Sequence, residues 1–419
     1  MFSQIAAIVL LAVMFVIATV LPINMGALAL VGAFIVGLLA HLPTRDIFAG
    51  FPGDLFVTLV GITYLFAIAQ NNGTVDWLVH KFVWLVRGQI AAMPWVMFAV
   101  AGVLTAVGAV SPAAVAIIAP IGLRFAQRYK ISPLLMGLMV IHGAQAGGFS
   151  PISIYGGITN QVVQRAGLPE HELMLFLASL FINFAIAVVI FLYFGGHRVS
   201  RHSEQRDSSD NETPSETTTH RLNAHRILTL IGLIALAIGA LAFELNVGLV
   251  AITVAVLLAL LSPNRQKKAI EQVSWSTVLL ITGVITYIAV LQKIGAVDMV
   301  GNSVSRVGAP LLGALLLCYI GGVVSAFASS IAVLGATIPL AVPFLLQGHV
   351  QSGGVVAAIA VSSTIVDVSP FSTNGALVVA NSQGVDREHF YRQMLVYSAI
   401  VVAVGPLITW LVLIVPGWL

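Results

Sequence analysis

Charge is what this chain lacks most. Asp, Glu, Lys and Arg make up only 8% of its 419 residues, against roughly 25% in a soluble globular domain, so no water-facing surface can be covered. Soluble enzymes, nucleic-acid binders and disordered scaffolds are excluded on that ground. Cysteine is nearly absent too: Cys318 is the only one, which rules out an internal disulfide and leaves a packing role in the apolar run 315–319. No Lys or Arg precedes the first apolar block, 5–21, and no small-residue cleavage site follows it. A signal peptide needs both, so this block reads as a permanent first helix. Gly-x-Ser-x-Gly, His-Glu-x-x-His and Gly-x-x-x-x-Gly-Lys are missing. Neither hydrolysis in the membrane nor ATP-driven transport by this chain alone is therefore expected.

What is present is apolar sequence: 59% hydrophobic residues and a mean hydropathy of +1.01. Blocks near the 20 or so residues of a spanning helix recur from end to end. The fold class is an all-α polytopic membrane protein in contact with the lipid bilayer, and not an enzyme. One strongly polar stretch, 196–224, cuts the chain almost in half. Its Ser, Thr, Glu and Pro mark a flexible linker.

The halves on either side are repeats. Ser150-Pro151-Ile152-Ser153-Ile154-Tyr155-Gly156 matches Ser369-Pro370-Phe371-Ser372-Thr373-Asn374-Gly375 at a shift of 219, and Asn24-Met25-Gly26 matches Asn246-Val247-Gly248 at 222. Gly73 to Asp76 likewise matches Gly295 to Asp298, and the runs from Ser111 to Pro120 and from Ser330 to Pro339 correspond. Repeat 1 (1–195) parses into scaffold helices within 3–71, an amphipathic stretch near 75–88, a hairpin at 92–127 broken near Gly108, a helix at 131–166 broken at 147–157, and a helix at 171–195. Repeat 2 (225–419) has scaffold helices within 226–292, a stretch at 296–307, a hairpin at 309–349 broken at 328–330, a helix at 352–383 broken at 368–375, and a last helix at 388–416. If the hairpins are re-entrant, each half crosses five times and the halves are inverted, giving about ten spans. Of the 19 Lys and Arg, this topology leaves only Arg45, Arg165, Lys293 and Arg306 on one side. The positive-inside rule makes the other side cytoplasmic, with the linker inside and both termini outside.

Four interrupted segments thus place small and hydroxylated residues at membrane depth, where unwound backbone is tolerated only if it lines a cavity or is packed in protein. Half-helix N-termini offer N–H groups to anions, and freed carbonyls with Ser, Thr or Asn oxygens suit a small cation. The expected cation (Na+) residues are Gly108, Ser111, Gly148, Ser150, Ser329, Ser330, Asp367 and Ser369. Expected substrate residues are Ser111, Ser153, Tyr155, Ser330, Ser372, Thr373, Asn374 and His142. Asp367 stands out as a carboxylate in an otherwise uncharged helix, costly unless paired or solvated. No Lys or Arg is near it in sequence, so a cation or a proton is its natural partner. A cap on the second half-helix is the plainer alternative, as hydrogen-bonded packing is for His142.

The tips Val110-Ser111-Pro112 and Ser329-Ser330-Ile331, each with a proline nine residues after its serine, resemble the hairpin tips of the ion transporter superfamily, which includes the divalent-anion/sodium symporters. Gly147-Gly148-Phe149-Ser150-Pro151 through Gly157 and Asn160 resembles its broken fifth helix. With Pro52-Gly53-Asp54, the N-terminal half is most similar to MatC-type malonate and dicarboxylate carriers. The resemblance implies an elevator-type symporter in the plasma (bacterial inner) membrane, importing a malonate-, succinate- or malate-class dicarboxylate with sodium ions and no other cofactor. It also implies a homodimer through the scaffold. The symporters' tips typically read Ser-Asn-Thr; here Ser111 and Ser330 stand in place of the asparagine, leaving Asn374 and Tyr155 to meet a carboxylate. The alternative is a cation/proton antiporter or proton-coupled organic anion transporter of the same fold.

Overall fold

The computed structural model describes all residues except 1, 86–89, 170, 196–222, 244, 264–267, 300–309, 328, 347–349, 383–385 and 418–419. Most of the linker, the stretch 296–307 beyond residue 299, Ala328 of the second tip, and Arg87, Arg198, Arg201, Arg206, Arg221, Arg265, Lys267 and Arg306 of the charge tally lie outside the described residues.

The first repeat runs α1 (Phe2–Val20), α2 (Met25–Leu39), α3 (Thr44–Ala49), α4 (Gly53–Asn71), α5 (Thr74–Leu85), α6 (Met93–Ala106), α7 (Ser111–Arg128), α8 (Pro133–Gly147), α9 (Ile154–Arg165) and α10 (Glu172–Tyr193). The second runs α11 (Ala224–Ala242), α12 (Val247–Leu261), α13 (Trp275–Lys293), α14 (Pro310–Ser325), α15 (Ser330–Leu345), α16 (Ser352–Ile365), α17 (Thr373–Ala380) and α18 (Arg387–Leu413). Helix makes up 82% of the structure, with no strand among the described residues. Seven stretches are long and apolar enough to span. With the 15-residue α2 and α12 and the broken pair α8–α9 they supply the expected ten. Helix α3, six residues long and too short to show a period, is not announced by the sequence pattern.

Packing follows the repeat. Helix α6 lies on α8 as α14 lies on α16; α8 meets α10 as α16 meets α18; α1–α2 is matched by α11–α12, and α7–α17 by α15–α9. The scaffold helices cross between the repeats most extensively where α2 meets α13 and α4 meets α12. Both depend on glycine. A Cβ on Gly26 would sit 1.9 Å from the Leu279 carbonyl oxygen, and one on Gly61 would sit 2.7 Å from that of Gly248; small residues let apposed backbones approach this closely. Asn24 and Asn246 cap the two crossing helices with their side-chain oxygens. Gln4 and Arg226, also 222 apart, donate to the equivalent carbonyls of Ile294 and Asn72.

Apolar side chains face outward on the peripheral helices. Ile5, Val9 and Val13 on α1, and Phe181, Val189 and Leu192 on α10, are exposed. The inner helices are the reverse: 94% of the most apolar window of 352–380 is buried, against 17% for α1. This is the arrangement of a protein solvated by lipid, with its polar groups in the middle.

Candidate functional site

Two breaks are built alike. After α8 the chain turns through Gly148 to Pro151. Ser153 then opens α9, its hydroxyl accepting from the Gly156 N–H while donating to the carbonyls of Ser150, at 2.6 Å, and Gly148. In the second repeat Ser372 opens α17, accepting from Gly375 and donating to the carbonyls of Asp367 at 2.6 Å and Ser369 at 2.7 Å. Ser150 and Ser369 accept from the N–H groups of Ile152 and Phe371, each at 3.3 Å. A Cβ on Gly156 would lie 2.1 Å from the Ser150 carbonyl oxygen, and one on Gly375 2.0 Å from that of Ser369. No larger residue fits either turn without moving backbone.

The tips bring their serines to these breaks. Between α6 and α7, Gly108 turns the chain at φ 109°, a conformation that L side chains rarely adopt, and Ser111 begins α7. Between α14 and α15, Ser330 begins α15 and meets Ser325 Oγ at 2.7 Å. Antiparallel packing of α6 on α7 and of α14 on α15 makes each pair a helical hairpin.

Both tips and both breaks converge on Asp367, which lies in a 3-10 turn (Val366–Val368) at the end of α16. Ser330 Oγ donates to its Oδ1 at 2.5 Å, and Gln145 Nε2 donates to its Oδ2 at 2.9 Å. Asn374 Nδ2 is shared between Ser111 Oγ, at 2.9 Å, and Asp367 Oδ2, at 3.3 Å. Tyr155 is buried with its side chain close to those of Ser111 and Asp367. Asp367 is 5% exposed, and among the described residues no Lys or Arg is buried. Two oxygens beside it, Gln145 Oε1 and Asn374 Oδ1, are buried without a hydrogen-bond partner. A carboxylate flanked by unpaired carbonyl oxygens can accept a cation, since the oxygens have no donor to lose.

Of the residues picked from the sequence, Ser111, Tyr155, Ser330, Asp367 and Asn374 therefore come together. Gly148, Ser150, Ser153, Ser369 and Ser372 form the flanking turns, where the hydroxyls of Ser153 and Ser372 are committed to main-chain carbonyls and that of Ser150 donates to Ala106 at 2.7 Å. Ser329 is partly exposed, and Thr373 is exposed, outside the buried group. His142 belongs to a second cluster. Its Nδ1 lies 2.9 Å from Asn183 Oδ1 on α10, and its Nε2 lies 2.7 Å from the Tyr397 hydroxyl on α18. Both ring nitrogens are thus taken, with Ser179 Oγ tying this cluster to the Gln145 carbonyl at 3.0 Å. Gln145 was missed from sequence. Its signal was there: a lone amide in the small apolar run Gly143-Ala144-Gln145-Ala146-Gly147, just before a break.

Fold and site together define a multi-pass membrane protein of transporter architecture. Residues 1–148 match the family model described as the dicarboxylate carrier protein MatC N-terminus. The resemblance read from the residues is thus met over that segment. The fold is similar to the crystal structure of the Alcanivorax borkumensis YdaH transporter, described as having an unusual topology. That similarity has a TM-score of 0.59 at 12% identity and covers 87% of this chain and 86% of that one. No curated protein matches the chain. The family match points to a membrane transporter rather than an enzyme, and the structural similarity is one of fold.

Proposed function

We propose that this protein is a secondary active transporter importing a small dicarboxylate, of the malonate, succinate or malate class, with sodium. The observation that carries the proposal is the convergence of two hairpin tips and two helix breaks on one buried carboxylate with unpaired carbonyl oxygens beside it. A dianion would be repelled by ionised Asp367, at about 4 kcal/mol per charge pair at 4 Å and an effective dielectric near 20. With no buried Lys or Arg among the described residues, co-bound cations and half-helix dipoles are what can offset it. Sodium at Asp367, Ser330, Gln145 and Asn374, with the Ser111–Tyr155 side left for a substrate carboxylate, is the division of labour we infer. The turn residues Gly148, Ser150, Ser369 and Ser372 hold that arrangement in place.

The packing asymmetry supports an elevator-type movement. Helix α4 packs on α9, and α13 on α15, yet the exchanged pairs α13–α17 and α4–α7 have no comparable packing. This departure from the repeat lies in contacts between the crossing helices and the tip-and-break unit. Sliding that unit would trade one set of contacts for the other. The hairpins would be re-entrant, the termini outside, the linker cytoplasmic, and the scaffold the homodimer contact in a bacterial inner membrane.

Uptake of labelled malonate and succinate into proteoliposomes tests this reading. An inward sodium gradient should drive accumulation, and a proton gradient alone should not. Proton-driven uptake without sodium would favour the proton-coupled alternative, with Asp367 as the proton site.

A further inference from the structure

A second polar feature lies further out along α9, where that helix meets α4 through two rungs. Gln161 Nε2 donates to Thr58 Oγ1 at 3.0 Å, and one turn on Arg165 pairs with Asp54. The rungs match because each pair of positions is four residues, about one turn, apart. The Arg165 and Asp54 side chains keep 38% and 43% of their surface exposed, so the ion pair adds little to stability and can open. Beside it is a cavity of about 200 Å³ between α9, α15 and the α3–α13 side. Its wall is apolar, including Val162, Ala289 and Pro339, apart from Arg165 and Gln292. The cavity has room for several waters, the scale of a small carboxylate.

On α9 between Tyr155 and Arg165, three successive residues carry buried polar atoms with no hydrogen-bond partner: Thr159 Oγ1, Asn160 Nδ2 and Gln161 Oε1. Such atoms cost stability unless something that passes can satisfy them. Helix α9 begins at the break beside Tyr155, so centre, unpartnered atoms and cavity follow one another along it. Arg165 lies about 15 Å beyond Tyr155 at 1.5 Å per residue.

We propose that Arg165 is an outer recognition subsite for one carboxylate of the transported dianion, and that Asp54 is its placeholder. The proposal rests on the dicarboxylate reading above. A guanidinium fork binds a carboxylate through two N–H donors, and Asp54 presents that same group in the resting protein. An arriving dicarboxylate exchanges for Asp54, so Arg165 is never left unpaired. The exchange also removes one of the two rungs that hold α9 to α4, loosening the helix that leads to the polar atoms further in.

The test is the concentration dependence of labelled succinate uptake by the full chain in proteoliposomes. Arg165→Ala should raise KM about two- to fivefold, the size expected of a part-exposed ion pair, with little change in maximal rate, and Arg165→Lys should fall between. Asp54→Asn should lower KM, because the competitor is gone. A pair that only fastens α4 to α9 would be broken by either change and would shift KM the same way in both. That result, or an unchanged KM in Arg165→Ala, overturns the proposal. A second readout needs no transport: in a Cys318→Ala background, succinate should slow labelling of Ala289→Cys by a methanethiosulfonate reagent, and Arg165→Ala should abolish the slowing. Ala166→Cys, also in the cavity wall, replaces that reporter if it fails to reach the membrane. Arg165-dependent protection in a protein that takes up no succinate would keep the subsite and sink the transport reading. Uptake without protection at either reporter would do the reverse.

Discussion

The break after α8 and the break after α16 have one backbone and two chemistries. In both, a serine caps the outgoing helix while its hydroxyl returns to carbonyls three and five residues back, and a glycine three residues later lies against a carbonyl. Yet the position that is Gly148 in the first break is Asp367 in the second, and Tyr155 in the first is Asn374 in the second. The repeat therefore provides the frame twice, and the differences between its copies place the charge in the second, with one unpaired amide oxygen from each, Gln145 and Asn374, beside it. Symmetry here is structural and asymmetry is chemical.

The harshest way to break the comparison is to attack the shared frame. Gly375→Ala and Gly156→Ala each force a Cβ to within about 2 Å of a carbonyl oxygen. Each should cost more than about 3 kcal/mol, seen as loss of thermal stability in detergent and of uptake. Gly157→Ala is the internal control: its Cβ would meet only Thr58 Cγ2 at 3.6 Å, and it should behave as wild type.

A milder change separates the two tips. Ser330→Ala removes the hydroxyl that donates to Asp367, whereas Ser111→Ala removes only an acceptor for Asn374. Both should raise the sodium concentration for half-maximal uptake. Ser330→Ala should have the larger effect, on the order of tenfold, the lower end for one hydrogen bond to a charged group. Equal sodium dependence in both variants and wild type would return these serines to packing.

The smallest expected effect on transport is at His142. His142→Ala leaves Asn183 and Tyr397 without their shared partner, at a cost of about 1–3 kcal/mol in stability. The sodium dependence of the surviving protein should be unchanged. A lost pH dependence of uptake would instead make this second cluster part of the coupling.

Much of this was legible in the sequence because it is written in local patterns. Apolar blocks gave the helices; Ser-Pro and Gly runs at one repeat shift gave the breaks and tips; and Asp367 was conspicuous as a charge in an apolar helix. The convergence was not legible. Gln145 and Asp367 are 222 residues apart, and no periodicity says that α8 turns its amide toward the end of α16. The equivalent of Gln145, Thr364, bonds to its own helix at the Ala360 carbonyl, so the repeat itself gave no hint. Nor did spacing reveal that His142, one turn from Gln145, faces α10 and α18 instead. Partners across helices are set by tertiary packing, which a single chain's pattern does not encode.

The sodium dependence of succinate uptake by Asp367→Asn tests the central claim most directly. Asparagine keeps the shape and one acceptor oxygen but removes the charge that offsets a bound cation. Half-maximal activation should require at least tenfold more sodium, a difference of about 1.4 kcal/mol or more, while preference among dicarboxylates stays near wild type. Uptake with wild-type sodium dependence would contradict the account and leave Asp367 as a helix-end residue held by Ser330 and Gln145.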